Sequence, residues 1–274
     1  MRMETIGFLG GDARMAYLAR LLAADGYAVR SWGLANAPNE GTPSEAAAAE
    51  RVILPVPLAK EGKLHGTNLP LDELWTRLSA KQRIYAGAVP KSAWAAIQRL
   101  GLHVTDYYAD EALTVANAAV TAEGAVQTAM DRLSVTLRGT PCLVVGFGRI
   151  GKLLAHDLAA LGAGVSVSAR RFDDFAWIDA LGYRALHTER LDGKLGGFRA
   201  VFNTVPHPVL TAPLLAQLRR DCVVVELASL PGIDAEAAGK IEYVKANGLP
   251  GKTAPETAAR ALRQTLYRIW EEET

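Results

Sequence analysis

The sequence predicts an α/β protein built of two doubly wound parallel-sheet domains joined by bridging helices. Three observations predict it. Short apolar strands alternate with helical stretches in both halves of the chain, the pattern of parallel sheets covered on both faces. The string VVGFGRIGKLL, Val144 to Leu154, sets Gly146, Gly148 and Gly151 in G-x-G-x-x-G spacing between an apolar run and an Ala/Leu-rich stretch. Two further segments, one leading into the second half and one at the C-terminus, carry apolar stripes at helical spacing that need a surface to cover.

In the first half, strands are expected at Thr5–Leu9, Ala28–Trp32, Arg51–Val56, Arg83–Ala86 and His103–Tyr107. Helices are expected at Ala13–Ala24, Leu71–Leu78 and Lys91–Leu100, with Asn36–Glu50 a loop and a short helical turn. A helix from Ala122 to Leu137, capped by Thr121, leads into the second half. There the strands are Pro141–Val145, Gly164–Ala169, Tyr183–Leu186, Ala200–Thr204, Val223–Leu227 and Glu242–Lys245. The last helix opens T-A-P-E, where Thr253 and Glu256 have capping-box spacing, and runs on with Ala259, Leu262, Leu266 and Ile269 on one face. The domains are then residues 1–116 with the C-terminal helix 252–274, and residues 117–251 with their leading helix.

The glycines make the second domain a Rossmann dinucleotide-binding domain. Gly146 makes the tight strand-to-helix turn, Gly148 lets backbone approach a pyrophosphate, and Gly151 lets the helix pack on the strand. Arg149 and Ile150 lie between them and belong to the same cofactor turn. At the end of the following strand, where an NAD-binding fold carries an acidic residue, this chain reads Ser168 with Arg170 and Arg171 behind it. A hydroxyl and two guanidiniums suit a 2′-phosphate, so the expected cofactor is NADP. Asn203, Thr204, Val205 and Pro206 end the fourth strand of this domain, where they either line the nicotinamide or turn the chain into a helix.

Composition narrows the function class. The chain has 274 residues, half of them hydrophobic, and a formal net charge of +1, which gives no electrostatic case for nucleic acid or an acidic membrane surface. No apolar run approaches the ~20 residues of a membrane span, and the N-terminus enters a strand without the charged and apolar regions of a signal peptide. Cys142 and Cys222 read as small core residues in a reducing cytosol. The five histidines lack ligand spacing, so no metal site is expected.

In open parallel sheets ligands bind outside the carboxyl ends of the strands. After the first strand those residues are Gly10, Gly11, Asp12 and Arg14, which read as an anion-binding turn for a substrate carboxylate or as a plain turn with Asp12 as helix cap. His207 between two prolines reads as an acid/base or a surface-loop residue.

Several of these segments together resemble one family, the A subunit of dipicolinate synthase from spore-forming bacteria. They are G-G-D-A-R (Gly10–Arg14), I-L-P-V-P (Ile53–Pro57), V-T-A-E-G (Val120–Gly124), V-G-F-G-R-I-G (Val145–Gly151), N-T-V-P (Asn203–Pro206), E-L-A-S-L-P-G (Glu226–Gly232) and G-L-P-G-K-T-A-P (Gly248–Pro255). The chain departs from the family at Glu226 and Leu230, where an acidic residue, usually Asp, and a basic residue are frequent, and at Lys252, where an apolar residue is usual. The resemblance implies a cytoplasmic NADP-dependent oxidoreductase of the mother cell in sporulation, on a branch of the lysine pathway. It would form dipicolinate from a hydroxytetrahydro- or dihydrodipicolinate by dehydration and hydride transfer. It also implies a flavoprotein-like second subunit, and a homo-oligomer is expected as well. On this basis Gly10, Gly11, Asp12, Arg14, Ser229 and Lys252 are candidates for binding a small dicarboxylate, and Glu123 with Thr121 for catalysis. Glu123 reads equally as a favourable acid in the first turn of its helix.

Two other functions share the architecture. A D-2-hydroxyacid dehydrogenase would need a histidine late in the cofactor domain, and none follows His207. A non-catalytic NADP-binding subunit is consistent with the lack of an obvious catalytic dyad.

Overall fold

Each strand of the chain that pairs in a large sheet does so in parallel, and the order of the strands decides where a ligand can reach the backbone. The computed structural model describes residues 4–230, 232–233, 239 and 241–273. Pro231 of the E-L-A-S-L-P-G segment and Thr274 of the expected C-terminal helix lie outside them. The chain divides into two units, Met1–Asn117 with Pro250–Thr274, and Ala118–Leu249.

The first unit runs β1 (Thr5–Leu9), α1 (Ala13–Ala24), β2 (Ala28–Trp32), α2 (Pro43–Ala47), β3 (Arg51–Ile53), β4 (Ala59–Lys60), β5 (Lys63–Leu64), α3 (Leu71–Thr76), β6 (Arg83–Ala86), α4 (Lys91–Arg99) and β7 (His103–Asp106). Its five-stranded sheet has the order β2-β1-β3-β6-β7. That is the flavodoxin-like order, which reverses direction between β1 and β3. β4 and β5 form a separate antiparallel hairpin. Ile6 and Phe8 face one core with Leu18, Leu22 and Tyr85, while Leu9, Val52 and Ile84 face another with Trp75 and Ile97. Gly7 lies between Ile6 and Phe8 because a Cβ there would stand 1.9 Å from the Ala46 carbonyl oxygen.

α5 (Glu111–Met130) passes from the first unit into the second. It corrects the expected helix from Ala122 to Leu137. The side chain of Asp110 accepts a bond from the Leu113 N–H at 2.7 Å and starts the helix well before the expected cap, so Thr121 is an interior residue and caps nothing. An alanine-rich run without proline carries the helix through, and Gly124 alone does not stop it.

The second unit runs β8 (Pro141–Val145), α6 (Arg149–Ala160), β9 (Gly164–Ala169), α7 (Phe172–Ala180), β10 (Arg184–His187), β11 (Ala200–Asn203), α8 (Ala212–Leu215), β12 (Val223–Glu226) and β13 (Glu242–Lys245). The sheet order β10-β9-β8-β11-β12-β13 is the six-stranded Rossmann order, with its reversal between β8 and β11. Cys142 and Val144 face one core with Ala125 and Leu158; Leu143, Val145 and Cys222 face the other with Leu215. Burial pushes both thiols up to about 12, so the cysteines serve as core residues.

α9 (Leu249–Lys252) and α10 (Pro255–Glu272) end the chain. The expected capping box at α10 is absent. Thr253 still belongs to the turn after α9, Ala254 is the cap residue, and Glu256 bonds Arg260 at 2.7 Å instead. The helix starts on Pro255 and holds by packing: Ala259, Leu262, Leu266 and Trp270 join the α1 side of the first unit's sheet. Arg263 and Tyr267 both meet the Asp25 carboxylate at the end of α1. Leu266→Ala is expected to lower stability by about 2–5 kcal/mol, because its site is fully buried between helix and sheet. A urea midpoint unchanged from wild type would contradict that placement.

Candidate functional site

In the first unit, the reversal of strand order puts the turn after β1 beside the segment after β3. Gly10 and Gly11 both have positive φ, +64° and +124°. Their N–H groups are already used: Gly10 donates to the Trp32 carbonyl at 2.9 Å and Gly11 to the His65 carbonyl at 2.7 Å. The spare donors expected of an anion-binding turn are therefore absent there. Asp12 is the N-cap of α1 and accepts from the Arg14 N–H at 3.0 Å.

Arg14 also differs from its expected role as an outward carboxylate clamp. It is 4% exposed. Its guanidinium meets Asp12 at 2.7 Å, the Val56 carbonyl at 2.7 Å and Asn117 Oδ1 at 3.1 Å. A fork of this kind ties the β1 turn to the β3 turn and to the second turn of α5, all by charge-assisted bonds. Gly251 closes the same cluster, since a Cβ there would lie 2.3 Å from an Asp12 carboxylate oxygen. The G-G-D-A-R and G-L-P-G-K segments thus meet in space. Lys252, next to Gly251, is exposed.

In the second unit the corresponding reversal brings the glycine turn against the end of β11. Gly146 has φ +99°, and a Cβ on it would lie 2.5 Å from Thr204 Oγ1 and 2.8 Å from Val205 Cγ2. A Cβ on Gly151 would lie 2.2 Å from the Gly146 carbonyl oxygen, so α6 can begin here only on glycine. Gly148 is the N-cap of α6, has no side-chain cap, and has open space where its Cβ would be. That opening at a helix N-terminus fits a phosphate group. Arg149 and Ile150 follow on the first turn of the helix. The Thr204 hydroxyl donates to the Val145 carbonyl at 2.9 Å and so braces the turn. Pro206 and His207 are exposed beyond it.

Two expected cofactor residues face inward. Ser168 is fully buried and its hydroxyl pairs with that of Thr188 at 3.2 Å, so the first exposed side chain after β9 is Arg170. Arg171, also exposed, is bonded to Asp173 at 2.8 Å. Asn203 is fully buried as well. Its amide donates to Glu226 Oε1 at 2.8 Å and to the Val205 carbonyl at 3.0 Å, which commits it to holding the β11 and β12 ends together.

Glu226 gains a structural role that no local pattern signals. Its buried carboxylate also accepts from the Ala228 and Gly232 N–H groups, each at 3.0 Å. Burial pushes the carboxyl above its ordinary value, against the pull of Asn203, the two N–H groups and Lys245. The signal for it is the pairing of Asn203 with Glu226 at matched strand ends, which is visible only once the register is known. Ser229, just past this turn, is exposed. Thr121 is buried within α5, and Glu123 is exposed on the same helix; the Asp157 carboxyl is raised mainly by burial, with the Glu123 charge adding to it.

A folded-state carboxyl pKa above the unfolded one means that the folded chain holds the proton to higher pH. Stability then falls as pH rises through the interval between the two values. Asn203→Ala removes a donor that favours the ionised form, which widens the interval. The variant is expected to lose about 1–3 kcal/mol, and more at about pH 8 than at about pH 5. Urea unfolding at both pH values checks this, and equal losses would show that Glu226 is not the linked group.

Residues 5–108 match the family of the N-terminal domain of the dipicolinate synthase A subunit. The A subunit of dipicolinate synthase from Bacillus subtilis (strain 168) is 33% identical over 160 residues, 57% of this chain and 54% of that protein, so the chain matches about half the length of this curated relative. In structure, the A chain of dipicolinate synthase from Bacillus subtilis superposes with a TM-score of 0.83 at 27% identity, covering 99% of this chain and 97% of that one. D-lactate dehydrogenase from Escherichia coli shares the fold at a TM-score of 0.62 and 16% identity, covering 98% and 96%. The chain is thus similar to the dipicolinate synthase A subunit, in sequence over residues 5–108 and in fold along nearly its whole length.

Proposed function

We propose that the chain is an NADP-dependent oxidoreductase subunit that forms dipicolinate from a hydroxytetrahydro- or dihydrodipicolinate. The observation that carries this reading is the open, uncapped α6 N-terminus at the strand reversal of the second unit, with two exposed arginines directly after β9. The backbone N–H groups of the Gly146–Gly151 turn would take the pyrophosphate. Arg170 and Arg171 would take the 2′-phosphate, and Phe172, 85% exposed behind them, offers an aromatic face to the adenine. The related protein is named as one subunit of its synthase, which supports a second chain as partner.

Loss of water from the hydroxylated ring gives the dihydro compound. Removal of a hydride by NADP⁺ and of a proton by the protein or solvent then leaves the aromatic pyridine-2,6-dicarboxylate, and aromatisation drives the step. The protein's share is to hold a planar dianion still and to move protons. Glu123 of the V-T-A-E-G segment, exposed on α5, is the carboxylate we assign to proton transfer.

The direct test supplies the purified chain with NADP⁺, a dihydrodipicolinate synthase, aspartate semialdehyde and pyruvate. NADPH is followed by absorbance and dipicolinate is identified by mass. Appearance of both supports the assignment; cofactor binding without product, even after addition of the second subunit, rejects it. Because Arg171 is shared with Asp173 while Arg170 forms no ion pair among the described residues, Arg170→Ala is expected to cost more. It should weaken NADP⁺ binding about tenfold or more and leave NAD⁺ binding unchanged. Equal loss for both cofactors would remove the arginines from 2′-phosphate recognition. Glu123→Gln should lower kcat by about 10²–10⁴ with NADP⁺ affinity intact, and a kcat near wild type would free Glu123 of that role.

A further inference from the structure

The anion-binding capacity expected of the Gly10–Arg14 turn is spent inside the protein, which leaves the dicarboxylate without a site at those residues. The β4–β5 hairpin, and the turn that follows it, lie directly on that turn. Gly11 donates to the His65 carbonyl, and a Cβ on Gly66 would lie 2.2 Å from the Gly11 carbonyl oxygen. The His65 N–H donates to the Leu58 carbonyl at 3.0 Å, and the Thr67 methyl packs toward Gly10 and Gly33. The segment is therefore anchored to the carboxyl edge of the first unit's sheet, where ligands of such sheets bind.

Along this segment lies an open depression of about 470 Å³, lined by Lys60, Lys63, His65, Thr67 and Asn68, with Glu61 as its one acid. The volume falls in the range of small-molecule sites, roughly 300–1,000 Å³. Neither lysine forms an ion pair among the described residues, so neither positive charge at the depression is committed to a carboxylate there. An independent observation points the same way. His65 Nδ1 is buried and has no hydrogen-bond partner among the described residues. A buried polar atom left without a partner costs free energy, and a turn of the half-buried ring toward a ligand in the depression is one way to recover it. Burial holds the imidazole below its ordinary pKa, against the Asp12 carboxylate and with help from Arg14 and Lys60. That favours the uncharged ring, which has one nitrogen to donate and one to accept.

We propose that this depression binds a small cyclic dicarboxylate, with Lys60 and Lys63 meeting its carboxylates and the His65 imidazole hydrogen-bonding the ligand. The proposal rests on the function above for the identity of the ligand, and on the hairpin alone for the place. It also gives the buried Arg14 cluster a purpose: it fixes the floor on which the hairpin stands and leaves ligand binding to groups above it.

The test titrates the full-length chain with pyridine-2,6-dicarboxylate while the histidine ring signals are followed by proton–nitrogen correlation NMR. The His65 signal is assigned from His65→Gln. A saturable shift of that signal is expected, and binding should weaken about tenfold or more in the Lys60→Gln, Lys63→Gln double variant with NADP⁺ affinity unchanged. Both lysines are exposed, so a melting curve matching wild type certifies the fold of the variant. An unmoved His65 signal, or undiminished affinity in the double variant, overturns the site. The coupled assay keeps the two ideas apart. Turnover with an unaltered KM in the double variant would reject the site and spare the function. Lysine-dependent binding at His65 without turnover, with the second subunit present, would spare the site and reject the function.

Discussion

Everything in this structure that bears on function follows from the two places where a parallel sheet reverses its strand order. Between β1 and β3, and again between β8 and β11, successive helices leave for opposite faces and open a crevice at the carboxyl edge. Backbone carbonyls and N–H groups end there without a neighbouring strand to satisfy them. Each crevice has to be either filled by the protein or left for a ligand.

The two units solve this differently. In the first, a buried guanidinium fills the crevice, and Asp12, the Val56 carbonyl and Asn117 share its hydrogens. A charge so buried is tolerable only because nearly all of its donors are matched, and removing one partner would cost more than the pair contributes. In the second unit the deepest polar group is instead an acid. Glu226 is held by Asn203 and two backbone N–H groups at the strand ends beyond the glycine turn, which stays open at Gly148. The protein thus buries a guanidinium at one reversal and keeps open space at Gly148 at the other.

Local pattern made much of this legible in the sequence. Strands such as Thr5–Leu9 and Pro141–Val145 fall where the apolar runs place them, because parallel strands buried on both faces read as short continuous apolar segments. The glycine turn was legible because only glycine satisfies Gly146 and Gly151. What was not legible depends on partners far along the chain. Nothing near Arg14 announces that Val56 and Asn117 will occupy its guanidinium, and nothing near His65 announces that its carbonyl will take the Gly11 N–H. The start of α5 was missed for a simpler reason: Asp110 and Thr121 are both acceptable caps, and an alanine-rich run gives no reason to prefer the later one.

The arginines after β9 show how the same physics decides which residue meets a ligand. In a sheet with one wet face, alternate residues of a strand reach solvent, and Ser168 just before the Arg pair would have been a fair candidate. β9 lies inside a parallel sheet, between β8 and β10, and every residue from Val165 to Ala169 is buried. Alternation therefore exposes nothing until the strand ends, and the hydroxyl of Ser168 turns to Thr188 instead. The first side chain open to solvent is therefore Arg170, past the strand. That side chain is a guanidinium rather than a carboxylate, which repels no phosphate and offers the fork that a 2′-phosphate accepts.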